Sequence, residues 1–301
     1  YAYFKGNDQS AYIPRTGGKI MMPPPTPNSG GTGYATFYAD KGANDNMALA
    51  AMELYKLTND ESYLTKAKKY ATSAGAAYWN SWADANMTVH NMLVDKHTQS
   101  ENYLKIDLNT FKNRAYATNN IWHTPHETTW GSLYSYIEVA NSIAEYHITK
   151  KDETYFPIFL DVIDYVLGKN NWGISMMASK TMPYTADKNY AMIYKEQKTF
   201  PIGEVCAGPT TLQAMKDNGF SATNSPEAAF NTNKGSFFND EKNYVTMEST
   251  ICGNADALYL FTLASKIFST IPLLSIKQQT VKKPLKIYPN PPVDSFHVPF
   301  P

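Results

Sequence analysis

The sequence has few cysteines, no surplus of charge and no long apolar run, and each shortage removes a class of protein. Cys206 and Cys252 are the only cysteines in 301 residues. A scaffold built on disulfides is therefore excluded. One bridge between them, worth about 4 kcal/mol in chain entropy, and two buried free thiols both remain open. Basic and acidic residues number 27 each, so the formal net charge is zero. Nucleic acid and anionic membranes select basic surfaces, so neither is expected as a partner. No apolar run approaches the roughly 20 residues that span a bilayer. Residue 1 is Tyr, and no charged start leads into an apolar stretch, so no signal peptide is expected within these residues. The chain reads as a mature form or as a fragment.

What is abundant is aromatic. Tyr, Trp and Phe make up 14% of the chain, which suits a tyrosine-rich core, rings that pack on sugar faces, or both. Residues 1–43 are rich in Gly, Pro, Ser and Thr. Proline removes donors and fixes φ, so this stretch is expected to be irregular. It suits a cleft wall, or a segment whose neighbours lie upstream.

Helical periodicity begins at Asn44, with Met47, Ala51, Leu54 and Tyr55 on one face. Thr58, Asn59 and Asp60 break the run and offer N-caps. The next helix places Tyr63, Leu64, Ala67, Tyr70, Ala71, Ala74 and Tyr78 on one side. The device recurs over residues 131–147, with Leu133, Ile137, Ala140 and Ala144, followed by Tyr155, Phe159, Val162 and Val166 and a C-terminal Gly168. The two junctions read alike: Tyr-Lys-Leu-Thr-Asn-Asp-Glu-Ser-Tyr-Leu at 55–64, and Tyr-His-Ile-Thr-Lys-Lys-Asp-Glu-Thr-Tyr-Phe at 146–156. Repeated helical hairpins cannot bury their apolar faces alone and must stack, as a closed ring or an open solenoid. The fold class is therefore all-α.

Between the hairpins, residues 79–130 show little periodicity and carry His90, His97, His123 and His126. The densest cluster is Trp122-His123-Thr124-Pro125-His126-Glu127. Pro125 spoils a smooth helical pair of histidines and a third ligand is not evident, so no metal is expected there. A loop that contacts substrate, or simply packs, fits better. Asp40 and Asp45 read as a turn and a helix N-cap. Asp and Asn side chains near 39–46 would also suit a structural calcium. No cofactor is expected.

The chemistry centres on residues 244–255, where Glu248 is the only charged residue before Asp256. Its neighbours Met247, Thr250 and Ile251 favour the protonated form of a carboxyl, as a general acid requires. A Glu that caps the following helix through backbone N–H groups is the alternative. The segment resembles the closing catalytic motif of glycoside hydrolase family nine, the inverting cellulases built on an (α/α)6 toroid, through Tyr244, Glu248, Asn254 and Ala255. Three further pieces are similar to that family and follow its order. They are Trp130-Gly131-Ser132, which opens a helix, Leu167-Gly168-Lys169-Asn170, and Gly208-Pro209. In the second, Lys169 stands for an Arg and Asn171 for a Pro. The similarity runs from about residue 44 to 270.

The resemblance implies that 1–271 is part of a catalytic domain, a partial (α/α)6 toroid. It implies hydrolysis of β-1,4-glucan with inversion, Glu248 being the general acid. Tyr244 and Asn254 would orient the acid or the sugar. Trp122, Trp130 and Trp172 would be stacking platforms, and His123 and His126 substrate contacts. Two departures stand out. Residues 175–195 contain no His and no Arg where the family places a sugar-binding pair; Tyr184, Asp187, Tyr190 and Tyr194 are possible substitutes. The family's Asp-Ala-Gly-Asp base motif is also missing, which implies that the chain is the C-terminal part of a longer enzyme, inactive by itself. Another polysaccharide substrate and a non-catalytic glycan-binding toroid remain open.

Residues 272–286 carry four Lys and no acid, and read as a linker. Residues 287–301 open with Ile-Tyr-Pro-Asn-Pro, which resembles the start of the β sorting domain of the Bacteroidetes type IX secretion system. That resemblance implies the secretion machinery as a partner and a secreted or cell-surface location.

Overall fold

The computed structural model describes residues 43–78, 84–188, 200–221 and 225–269. Asp40, Tyr190, Tyr194, the linker at 272–286 and the sorting tail at 287–301 lie outside the described residues, as does nearly all of the Pro-rich 1–43 segment.

The first hairpin is α1 (Asn44–Thr58) and α2 (Glu61–Ala74). The second is α3 (Asn86–Leu93) and α4 (Thr98–Ala115), and the third is α5 (Ser132–Lys150) and α6 (Phe156–Val166). Further along come the short helix α7 (Leu212–Asp217), a 3-10 turn (Pro226–Phe230), α8 (Tyr244–Met247) and the long α9 (Ile251–Ser269). Among the described residues β pairing is confined to isolated bridges, such as Met177 with Val205. The architecture is all-α, as expected.

The two junctions that read alike fold alike. Asn59 (φ 53°) and Lys151 (φ 57°) both turn left-handed to end their helices, donating to the carbonyls of Tyr55 and His147. The next residue is Asp in each case. Asp60 accepts the Ser62 N–H and Asp152 the Thr154 N–H, both at 2.8 Å. Gly168 ends α6 with φ 117°, a conformation costly to any residue with a Cβ.

The innermost helix is α5, buried along most of its length, with α3, α6 and α9 all packed on it. Tyr136, Ile137, Ala140, Ala144 and Tyr146 join Leu104, Leu108 and Phe111 of α4, Phe159 and Val162 of α6, and Leu260 and Leu263 of α9 in the main core. A second core joins Ala48, Ala51 and Met52 of α1 to Leu64, Ala67 and Ala71 of α2 and Val89 and Leu93 of α3. The two cysteines are free thiols: Cys206 is buried against Met176, and Cys252 is half-buried.

Three expectations need correction. Residues 79–130 are not without order, for they hold α3 and the 18-residue α4. Asp45 is not an N-cap. Ala43 takes that position without a side-chain bond, and the buried Asp45 carboxylate accepts the Ala85 N–H at 2.7 Å, across to the start of α3. Finally, Tyr78 lies beyond the end of α2, and its ring stacks on Phe111.

The end of α2 is docked by buried polar groups. His90 bonds the Gly75 carbonyl at 2.8 Å, and Asp107 of α4 accepts the Ala77 N–H at 3.0 Å. Burial pushes the Asp107 carboxyl up to about 7, offset in part by that N–H bond. Unfolded Asp releases its proton near 3.9. Between that value and about 7 the unfolded chain holds fewer protons than the folded one, so stability falls as pH rises across the window and levels off above it. Asp107→Asn is expected to flatten the fall. Its melting temperature should gain on wild type at pH 8 and not at pH 4, as a pair of thermal melts at each pH would show.

Candidate active site

Three residues, 248–250, link α8 to α9, and Glu248 is the extended first of them (φ −60°, ψ 129°). Its N–H closes the last turn of α8 on the Tyr244 carbonyl. The helix α9 is capped by Thr250, whose hydroxyl accepts the Gly253 N–H at 3.1 Å. Capping therefore does not fall to Glu248. Among the described residues, no hydrogen bond or ion pair engages its half-buried carboxylate. Ile251, expected to shield it, is 93% exposed, while Met247 is fully buried beneath.

The backbone around Glu248 is held tightly. The Tyr134 hydroxyl, on α5, donates to the Glu248 carbonyl at 2.7 Å, with the Val205 carbonyl a second acceptor at 3.3 Å. It also accepts the Thr250 N–H at 3.2 Å. Asn254 accepts the Val205 N–H at 2.9 Å and donates to the Ser249 hydroxyl and the Thr250 carbonyl, each at 2.8 Å. Ser249 returns a bond to the Val205 carbonyl. The start of α5 is tied in beside it. Leu133 N–H donates to the Ala207 carbonyl, the Ser132 hydroxyl to the Pro209 carbonyl, and Gly208 N–H to the Thr246 carbonyl. These bonds explain why Trp130-Gly131-Ser132, Gly208-Pro209 and the Glu248 segment occur together: they fold into one unit.

Trp130, 43% exposed, lies against Tyr244 with ring centroids 5.6 Å apart. Tyr244 is held from behind by Phe220 and by a bond to Asn218. A partly exposed pair of rings thus stands one helical turn before the carboxyl. Such an arrangement can stack on an apolar sugar face and offer a proton to a bridging oxygen.

The other predicted residues lie elsewhere. Asn254 spends its side-chain oxygen and both amide protons on the loop and so orients the chain around Glu248. Trp172 is a core residue, 8% exposed, donating to Asn231 at 2.7 Å and packed on Phe237. It offers no open face to a sugar. His126 is buried between Tyr78 and Phe111, and burial lowers its pKa. His123 takes a left-handed turn (φ 52°) and bonds Asp161 of α6 at 2.9 Å. Trp122 is half-buried and packs on the main core. Among the described residues no cluster of three or more His, Cys, Asp or Glu side chains suits a metal. Lys169 pairs with Asp161 and Asp164 on the surface, and Asn170 knits its own loop by bonds to Tyr165, Trp172 and Ile174. The Leu-Gly-Lys-Asn motif is thus structural here.

Sequence reasoning missed Tyr134 and Gly253. Gly253 was the readable signal, since a glycine inside a helical run costs about 1 kcal/mol relative to alanine and calls for a packing reason. That reason is Tyr134: a Cβ on Gly253 would fall 2.2 Å from its ring.

Antiparallel helical hairpins packed around a buried inner helix, with the carboxyl and its aromatic rings set at helix N-termini, define an arc of an α/α toroid. The chain belongs to glycosyl hydrolase family 9, whose profile matches residues 22–261. Solved structures agree on the fold. The cellulase Cel9M of C. cellulolyticum, in complex with cellobiose, superposes with a TM-score of 0.60 at 18% identity, over 77% of this chain and 53% of that one. The endoglucanase CelQ of Clostridium thermocellum, complexed with cellobiose and cellotriose, gives 0.62 at 18%, over 82% and 42%. A Bacteroides ovatus GH9 structure gives 0.57 at 18%, over 76% and 41%. The chain thus spans about half the length of the structures it matches. No curated protein matches it. Among the described residues, no helix is long and apolar enough to cross a membrane.

Proposed function

We propose that this chain carries the general-acid half of an inverting β-1,4-glucan hydrolase. The observation that carries the reading is a half-buried carboxyl with no cap and no ion pair among the described residues. Thr250, not Glu248, caps α9, yet four side chains, Tyr134, Ser249, Thr250 and Asn254, hold the backbone on which Glu248 stands. In the reaction, the Glu248 proton passes to the glycosidic oxygen as the bond from the anomeric carbon breaks. Water adds to that carbon from the opposite face and gives its proton to a carboxylate base. An inverting pair stands ~6.5–9.5 Å apart to admit the water. We place the base, an Asp, outside this chain, because no Asp-Ala-Gly-Asp motif occurs in it. Residues 1–301 alone are then expected to be inactive. Trp130 and Tyr244 form the nearest sugar-binding surface. Cellobiose and cellotriose in the related structures favour glucan as the substrate.

The missing His-Arg pair at 175–195 keeps another polysaccharide as the second reading. The tail at 287–301 supports export through the type IX machinery, hence a secreted or cell-surface enzyme. The test of substrate is reducing-end release by the full-length protein from carboxymethyl cellulose, xylan and mannan. Cutting of the cellulose derivative alone is the expected result. Cutting of another polysaccharide in its place removes the glucan reading while keeping the fold, and binding without cutting leaves a glycan-binding toroid.

A further inference from the structure

We infer that Tyr134 is a positioning residue for proton transfer from Glu248, an inference that rests on Glu248 being the acid. Glu248 is the extended first residue of the three-residue link between α8 and α9, and among the described residues no hydrogen bond or ion pair fixes its carboxyl, so the carboxyl follows its backbone. That backbone has two flanking groups, the Glu248 carbonyl and the Thr250 N–H, and one phenol hydroxyl engages both, as donor to the first and acceptor from the second. The same hydroxyl reaches the Val205 carbonyl, which Ser249 also bonds. One oxygen on the inner helix α5 therefore fixes the acid's peptide relative to the main core. Burial pushes the phenol pKa upward, so the donor keeps its proton through any working pH.

Gly253 makes the arrangement possible. An added Cβ would lie 2.2, 2.3 and 2.6 Å from three atoms of the Tyr134 ring, closer than real contacts occur. The small residue in the first turn of α9 is the slot into which the ring fits. Tyr134, Gly253 and the Glu248 peptide thus form one assembly, although 114 residues separate Tyr134 from Glu248 in sequence.

The role predicts a leaving-group signature. A misplaced acid harms substrates whose leaving oxygen must be protonated and spares those whose leaving group departs as a stable anion. Displacement of a catalytic group by about 1 Å costs up to roughly 100-fold. Tyr134→Phe keeps the ring in its slot and removes only the hydroxyl. In the full-length protein it is expected to lower kcat on carboxymethyl cellulose about 10- to 100-fold with KM unchanged, and to change turnover of 2,4-dinitrophenyl β-cellobioside by less than about 3-fold. Glu248→Gln, assayed beside it, should show the same split more strongly. Gly253→Ala, which keeps the hydroxyl and displaces the ring, should reproduce the Tyr134→Phe pattern and serves if that variant does not fold. Equal losses on both substrates, or no loss on either, while Glu248→Gln retains the split, overturn the positioning role. If Glu248→Gln shows no split, the acid assignment itself falls, and the role of Tyr134 with it.

Discussion

Glu248→Gln is expected to lower glucan turnover by the full-length protein about 10²- to 10⁴-fold, the range a positioned general acid contributes, while leaving the melting temperature within about 2 °C of wild type. The two halves of that result have separate causes. Gln has the shape of Glu but no transferable acidic proton, so departure of the poor leaving oxygen is unassisted. Stability should be untouched because, among the described residues, no hydrogen bond or ion pair uses the carboxylate. The cap of α9 is Thr250, and the bonds to residue 248 go to its backbone N–H and carbonyl. A large loss of stability would show that the carboxyl is structural. A rate within about 3-fold of wild type would show that it is not the acid. Steady-state kinetics and a thermal melt on the same two samples read both outcomes.

Gly208→Ala should be the most damaging small substitution in the scaffold of the site. Gly208 has φ +83°, and a Cβ there would lie 2.5 Å from Leu133 Cβ and 3.3 Å from the Leu133 nitrogen. The left-handed conformation costs a non-glycine residue about 1–2 kcal/mol. Overpacking against a helix start that cannot retreat adds about 1–3. Leu133 cannot withdraw because its own N–H is bonded to the Ala207 carbonyl. A total on the order of 3–4 kcal/mol corresponds to a fall of roughly 5 °C in melting temperature for a chain of this length. Gly219→Ala is the control, since Gly219 has φ +77° but open space around its Cβ position. It should pay only the conformational part, about a third of the loss. Equal losses at the two positions would mean that the contact with Leu133 contributes nothing.

How legible each part was depended on the range of the interactions that make it. The hairpins were readable because the signals are local: apolar spacing in α1, α2, α5 and α6, and an Asp after a left-handed residue at both junctions. The helix α4 escaped because its buried stripe contains Ser100 and Asp107 beside Leu104, Leu108 and Phe111, while Ile106 faces out. A polar residue inside the stripe and an apolar one outside it erase the period. In the site, Glu248 was found because it stands alone among uncharged neighbours. The use of Asn254, and the existence of Tyr134 as its counterpart, were hidden because their partners are brought in by tertiary packing, Val205 from 49 residues away and Glu248 from 114. Trp172 was misjudged for the same reason. An indole ring next to a family motif says nothing of Asn231 and Phe237, which enclose it.

The central claim, an acid working across the sugar from a distant base, is tested most directly by the anomer first released. Proton NMR of cellopentaose hydrolysis by the full-length protein, recorded in the first minutes before mutarotation, should show the α-anomer of the new reducing end accumulating ahead of the β. That is inversion, and it fits a Glu248 whose partner activates water rather than attacking carbon. Initial accumulation of the β-anomer would mean retention through a covalent intermediate, and would contradict the account.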